Sequence, residues 1–593
     1  MVSSARRHPV PGEPSAAGSD HEQIRAAEIQ AQVERIVESK GFRGSARLQR
    51  FLRLAVERSL AGETDQLKEY AVGRDVFDRG ADYDPRLDSI VRVEARRLRR
   101  KLREYYRVNA DADPIVIHFP RGSYVARFSR SGPLEAGADA ASPAPPDPHT
   151  VAVLPFSNLS TDLEQQYFCD GITEDIINAL TPIAELQVIG RNSMFALDPS
   201  VLDPREIGAR LGAGTIVEGS VRRAGETLRV SAKIIDSETR QTKWSQVFDR
   251  EARELFSIED EIAHSIAAVL RITLHAGQAP DILRGAPSAE AHALYLKGRQ
   301  AWNRMTGAGF LSAIDFFTRA IALYPEYAPP YAGIAFAYAW MAMWGLVRPA
   351  DAFEQCKGNA LEALRLDPQM ASAHTSLAVC VFFFEQNHQE GLTLIQQALQ
   401  LQPSYAIAHQ ILGLFLLVLG RFDEALPPLE RSVHLDPLSI RTNRTLALAY
   451  YLLGRLDEAE HWTKTAIALR PEDPETHYLA ARVYLSQGRT ELALKAARKC
   501  DPAETNVVSS PVAFSGLGVV LAQSGDRDGA LAVLNRLHRL AQSQWVDPLA
   551  FAYIECALGN SRAAIDLIRQ SREERSAFAS MSDFDPLFAA LRN

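Results

Sequence analysis

The stretch Asp88 to Tyr106, DSIVRVEARRLRRKLREYY, sets seven basic against three acidic side chains in nineteen positions. A guanidinium is a planar fork that pairs bidentately with phosphate or carboxylate, so a row of them is equipped to grip a polyanion. At 100° per residue, Val91, Ala95, Leu98, Leu102 and Tyr105 fall on one stripe of a helix. Arg92, Arg96, Arg99, Arg100 and Arg103 gather on the flank beside it. One apolar face to anchor and one basic face to offer is the arrangement a nucleic-acid reader needs. A solvated, salt-bridged surface is the competing reading. A second group, Asp170, Glu174 and Asp175, places three carboxylates within six positions. Such a group could hold a cation, but negative charge also decorates the first turn of a helix, and that simpler role is the expectation here.

These groups need elements to position them. Ahead of the basic stretch, a helix from about His21 to Ser39 and a second over SARLQRFLRLAVERSLAG are indicated by apolar spacing, with LKEYAVGRDVF as a shorter third. After it, PIVIHFPRGSYVARF reads as two strands, Ile115 to Phe119 and Tyr124 to Phe128, around a Pro-Arg-Gly-Ser turn. Helices, basic helix and hairpin in that order make a winged helix-turn-helix over residues 21–130, with residues 1–20 disordered. Residues 44–130 carry 19 Lys/Arg and 13 Asp/Glu, whereas the whole chain has a net charge of −8, so the basic character is local.

VRVEARRLRRKL resembles the recognition helix of the OmpR/PhoB class of winged-helix regulators, and PRGSY is similar to that class's wing. Position by position, the resemblance implies DNA contact from Glu94, Arg96, Arg97 and Arg99, and wing contact from Arg121 and Tyr124. The class has a small sheet before its first helix and an upstream receiver domain; here a helix stands in place of the sheet and no receiver precedes it. LKEYAVG with DSIVRVEARRLRRKLREYY also resembles a group of bacterial multidomain proteins, often labelled adenylate-cyclase-like, in which this segment precedes the two modules described next.

Ser129 to His149, rich in Ala, Pro, Gly and Ser, reads as a tether, with the linker proper at residues 131–149. Residues 150–275 then run β-α-β-α-β-β-β-α, an α+β unit with a mixed sheet. The combination AVLPF, GITEDI and VEGSVRR is similar to the N-terminal domain of TolB. Gly208, Gly212 and Gly214 sit where a helix ends and a strand starts, as capping requires.

From 276 onward the sequence is helical and periodic. Gly420, Gly454, Gly488, Gly525 and Gly559 are 34, 34, 37 and 34 residues apart, each five residues before an alanine. This is the tetratricopeptide (TPR) period, so an α-solenoid of about eight repeats is expected over 276–593, closed by DFDPLFAALRN as a C-terminal cap. Pro325 to Pro368 is longer, placing an insertion near Leu346 to Ala352. Register places Arg441, Arg444, Tyr451, Tyr478 and Arg482 on the groove-facing side, a charged surface suited to an acidic protein or peptide partner.

The fold class expected is therefore multidomain and mainly α. GxSxG, HExxH, GxxxxGK[ST] and a strand-following GxGxxG are all missing from the sequence, so no catalytic residue, metal ligand or cofactor is assigned. Five scattered cysteines without a CxxC read as reduced thiols in the cytoplasm. The uncharged run Tyr327 to Val347 is long enough to span a bilayer, but its register with the repeats makes it a packed helix and no membrane partner is expected. The function implied is a cytoplasmic DNA-binding transcriptional regulator whose partners are double-stranded DNA, a protein in the repeat groove and, in an oligomer, itself. The alternative is a non-enzymatic scaffold whose N-terminal module leaves DNA alone.

Overall fold

The computed structural model describes residues 26–39, 42–61, 67, 69–77, 90–109, 113, 115–119, 124–130, 146–160, 166–197, 202–224, 227–251, 255–274, 288–505 and 510–592. The expectations for residues 1–20 and for most of the linker lie outside them. The chain forms two compact units, residues 1–142 and 143–593.

In the first unit, helices α1 (Ala26–Glu38), α2 (Ala46–Leu60), α3 (Glu69–Phe77) and α4 (Ile90–Asn109) precede strands β1 (Ile115–His118) and β2 (Arg127–Arg130). Helix α4 forms where the wheel places it, with Val91, Ala95, Leu98 and Leu102 buried against Phe51, Leu52 and Ile117. Burying those four side chains is what fixes the roll of the helix, each contributing about 1.5–3 kcal/mol for the larger ones. The hairpin differs from expectation. Ile115 pairs with Arg130 and His118 with Arg127, so β2 starts at Arg127, not Tyr124. The reason is polar as well as apolar: the Ala126 amide donates to Ser59 Oγ at 2.8 Å, and Tyr124 packs beside Phe51 with ring centroids 6.2 Å apart. Both are drawn from the ladder into the helical core.

In the second unit, β3 (Asp147–Val153), β4 (Ser157–Asn158), α5 (Gln166–Leu180), β5 (Gln187–Val188), α6 (Arg191–Ala196), α7 (Pro204–Leu211), β6 (Ala213–Ala224), β7 (Thr227–Asp236), β8 (Thr242–Glu251) and α8 (Leu255–Leu274) follow in order. The sheet order is β5-β3-β6-β7-β8, with β3 parallel to β5 and β6, β6 to β8 antiparallel, and β4 parallel to the end of β6. A mixed sheet is what the apolar run of β3 and the alternating strands after it dictate. Strand β3 begins at Asp147, so the tether ends before residue 149. Helix α7 is bounded by an Asp203/Glu206 capping box and by Gly212 at φ 65°.

Eight antiparallel helix pairs follow among the described residues: α9 (Ala289–Trp302) with α10 (Gly307–Leu323), α11 (Ala328–Met343) with α12 (Pro349–Leu366), and α13 (Ala371–Val379, continued by a π-helical turn to Phe384) with α14 (His388–Leu401). Next come α15 (Ala406–Val418) with α16 (Phe422–Leu435), α17 (Ile440–Leu452) with α18 (Leu456–Leu469), and α19 (Pro474–Ser486) with α20 (Thr490–Arg498). After the single turn α21 (Pro502–Thr505), α22 (Pro511–Gln523) pairs with α23 (Arg527–Ala541) and α24 (Pro548–Ala557) with α25 (Ser561–Glu573). The periodic glycines have a common reason: Gly420, Gly454, Gly488, Gly525 and Gly559 all sit at φ between 72° and 90°, closing the first helix of a pair. Side-chain-bearing residues resist that conformation. The alanines five residues on, Ala425, Ala459, Ala493, Ala530 and Ala564, are all buried, since only a methyl fits between paired helices. Most of the uncharged run Tyr327 to Val347 is α11, buried within the array, and no described helix is long and apolar enough to cross a membrane.

Candidate functional site

Arginine constellations occur in both units, and their surroundings differ. On α4, Arg97 is exposed and lies 3.6 Å from Glu94. Arg99 is turned inward, its Nε donating to the Phe119 carbonyl at 3.1 Å. It therefore ties the basic helix to the strand that ends beside it. Arg92, Arg96, Arg100 and Arg103 lie on the same helix, but their side chains are outside the described residues, as is the whole of Arg121. Tyr124, expected to make a wing contact, is half-buried against Phe51.

The carboxylates of the second unit are not where first-turn decoration would put them. Helix α5 begins at Gln166, so Glu174 and Asp175 stand in its third turn. Glu174 is enclosed by Arg191 at the start of α6 and Arg299 of α9, with Asn303 Nδ2 donating to it at 3.1 Å. Arg299 also reaches Asp175 at 2.8 Å. Burial alone would raise the Glu174 carboxyl, but the two guanidiniums outweigh it and hold the group below its ordinary value. The group is thus an anionic clamp between the sheet module and the first repeat.

A second clamp joins the same bodies. Asp436, at the end of α16, accepts hydrogen bonds from the Ser193 amide at 2.8 Å, Ser193 Oγ at 2.6 Å and Asn192 Nδ2 at 2.7 Å. Burial pushes its carboxyl up, against those hydrogen bonds. Between the module and the inner faces of the early repeats lies a recess of about 750 Å³, walled by Glu174, Tyr295, Arg299, Trp302, Tyr327 and Tyr405. Burial pushes the Tyr295 hydroxyl up to about 12.

The groove residues named from register are engaged within the chain. Arg441, Tyr451, Tyr478 and Arg482 are all less than 9% exposed. Arg441 lies over the Trp340 ring at 5.0 Å and its Nη1 has no hydrogen-bond partner; burial brings its guanidinium down to about 10, with the Asp436 carboxylate opposing. Arg444 is paired with Asp473 at 3.0 Å. Arg482 sits 4.6 Å from the Tyr451 ring centroid and 5.3 Å from that of Tyr478, and its charge meets Asp585 from the chain's own C-terminal segment. The segment expected as a terminal cap lies against the last pair, Phe588 stacking on Tyr553, and also reaches back to Arg482 and Phe422. The chain itself supplies what register left vacant. Asp585, Arg299 and Asp436 were missed from sequence because each finds its partner more than a hundred residues away, and Arg191 because it lies on α6, too short for periodicity to mark.

Tetratricopeptide repeat models match residues 381–440, 416–482 and 511–536. The chain carries tetratricopeptide repeats. Among curated relatives, the chain is 35% identical over 247 residues to a Rhizobium meliloti protein named "Putative adenylate cyclase 3", covering 41% of this chain and 42% of that one. It is 24% identical over 304 residues to the transcriptional regulator HilA of Salmonella typhimurium, covering 48% and 50%. The chain thus spans half or less of the length of these relatives. Among solved structures, human IFIT1 in a dimer with m7Gppp-AAAA gives a TM-score of 0.39 at 15% identity, over 55% of this chain and 82% of that one. Yeast Tom70 gives 0.35 at 17%, over 53% and 68%.

Proposed function

We propose that this is a cytoplasmic DNA-binding transcriptional regulator. Residues 21–130 act as a winged helix whose basic helix α4 enters duplex DNA, residues 150–275 form a TolB-like coupling module, and the TPR array at 276–593 receives a protein partner or a second copy. The observation that carries the reading is α4 itself: its apolar stripe is buried while Arg97 remains exposed on a helix that bears six more arginines. The 24% identity to a transcriptional regulator supports the same reading. Catalysis is not part of it: Glu174 and Asp175, the carboxylates singled out in the sequence, are engaged by Arg191 and Arg299.

One observation favours the non-enzymatic scaffold instead. Arg99 and Tyr124, two of the proposed contacts, are engaged within their own unit. The test is a fluorescence-anisotropy titration of the full chain on pooled genomic duplex fragments at low salt. Retention of duplex, followed by enrichment of a subset of fragments, is expected; no binding would favour the scaffold.

A further inference from the structure

The C-terminal segment runs back over the first helices of several repeats and is held by side chains instead of helix pairing. After α25 ends at Glu573, Arg575 adopts φ 57° and its guanidinium lies 5.3 Å from the Phe384 ring of the third repeat. Phe578 meets Phe383 edge-on at 6.1 Å. Phe584 meets Phe422 edge-on at 5.4 Å and lies so close over Gly420 that a Cβ there would come within 2.6 Å of the ring. Asp585 forms the buried ion pair with Arg482 of the sixth repeat and accepts from Tyr553 Oη at 2.9 Å. Phe588 stacks on Tyr553 at 4.6 Å. The segment's own regular structure is two short 3-10 turns, Ala579–Asp583 and Pro586–Leu591.

Two properties of this contact separate it from a plain end-cap. A cap covers the last pair, whereas these anchors reach the third, fourth, sixth and eighth. A buried ion pair is also a weak source of stability, since the two desolvated charges nearly cancel their attraction, but it specifies which group may sit there. Arg482 is moreover not fully used: its Nε is buried with no hydrogen-bond partner. The inner face therefore carries a specific receptor for a carboxylate flanked by aromatic rings, one residue before it and three after.

We propose that the C-terminal segment is an exchangeable, built-in ligand of the array, and that the outside partner presents a peptide segment of the same chemistry, an aspartate between aromatic side chains in the manner of Phe584, Asp585 and Phe588. Binding of that partner requires the chain's own segment to leave. The tether gives the internal copy an effective concentration on the order of millimolar, so a free peptide of equal intrinsic affinity is strongly disfavoured until the internal copy is weakened. This rests on the partner-binding part of the reading above and not on DNA: duplex binding with failure of the peptide removes this inference alone.

The experiment titrates a fluorescein-labelled synthetic peptide of residues 576–593 with the full chain, unaltered and as Asp585→Asn or Phe588→Ala. Both variants are expected to bind the peptide at least tenfold more tightly than the unaltered chain, and Arg482→Met introduced into either is expected to abolish the gain. Variants that keep their helical circular dichroism yet gain no affinity overturn the proposal. Hydrogen exchange on the unaltered full chain gives a reading that no folding failure can obscure. Amides of 579–591 are expected to exchange at least a hundredfold faster than those of α24, reporting release of the segment alone; exchange at the rate of α24 would make it a fixed part of the fold and overturn the proposal.

Discussion

Helix α4 and the inner face of the TPR array are both rich in arginine, and they use it in opposite ways. On α4 the apolar stripe takes the buried side, and Arg97 stays exposed beside an i,i+3 neighbour, Glu94, at 3.6 Å. In the array, the largely enclosed Arg299 and the buried Arg482 are paired with carboxylates from distant parts of the chain. An exposed guanidinium keeps its charge for a partner and costs little; a buried one must be matched or the desolvation is unpaid. Availability is thus decided by tertiary closure, which no helical wheel contains.

The sharpest way to break that contrast is at Glu174. Glu174→Gln leaves the half-buried Arg191 and Arg299 around a neutral amide and is expected to cost about 3 kcal/mol of stability in urea unfolding of the full chain. A loss under about 1 kcal/mol, the range of an exposed pair, would erase the distinction between the two regions. The acid limb gives the same information. Because the folded Glu174 value is depressed, its contribution is present above the ordinary value near 4.5 and is lost as the pH falls through the lower folded value. The variant should therefore lose less stability than the unaltered chain over that acid window.

Arg441 tests the other side of the principle. Its guanidinium is buried with Nη1 unpartnered, and the carboxylate whose charge acts on it, Asp436, accepts hydrogen bonds from Ser193 and Asn192. Arg441→Met, which removes the uncompensated guanidinium while Asp436 keeps its hydrogen bonds, is expected to leave stability unchanged or higher in the same unfolding assay. A clear destabilisation would mean that the Trp340 contact and Asp436 together compensate the charge. The smallest effect is expected on α4, where Arg97→Ala should change stability by no more than about 0.5 kcal/mol.

Much of the architecture was legible because local rules repeat. The TPR period follows from glycines held at positive φ and alanines wedged between paired helices, and α4 announces itself through Val91, Ala95, Leu98 and Leu102. The mixed sheet is likewise written in the contrast between the apolar run of β3 and the alternation in β7. What was not legible depends on distance along the chain. Glu174 looked like helix-end decoration because Arg299, 125 residues on, is invisible to any local pattern. Tyr451, Tyr478 and Arg482 were placed on the inner face by register, but register could not say that Asp585 would be waiting there. The start of β2 slipped by three residues because Ser59, on another helix, captures the Ala126 amide.

The most direct test of a DNA-reading α4 is the salt dependence of duplex affinity for the full chain and for its Arg96→Ala, Arg97→Ala double variant. Neutralising several phosphates makes the logarithm of the association constant fall linearly with the logarithm of salt, by roughly 0.9 per phosphate. The unaltered chain should show a steep slope, and the double variant should bind more weakly with a slope shallower by about two. Binding that ignores salt, or a slope unchanged in the variant, would contradict it.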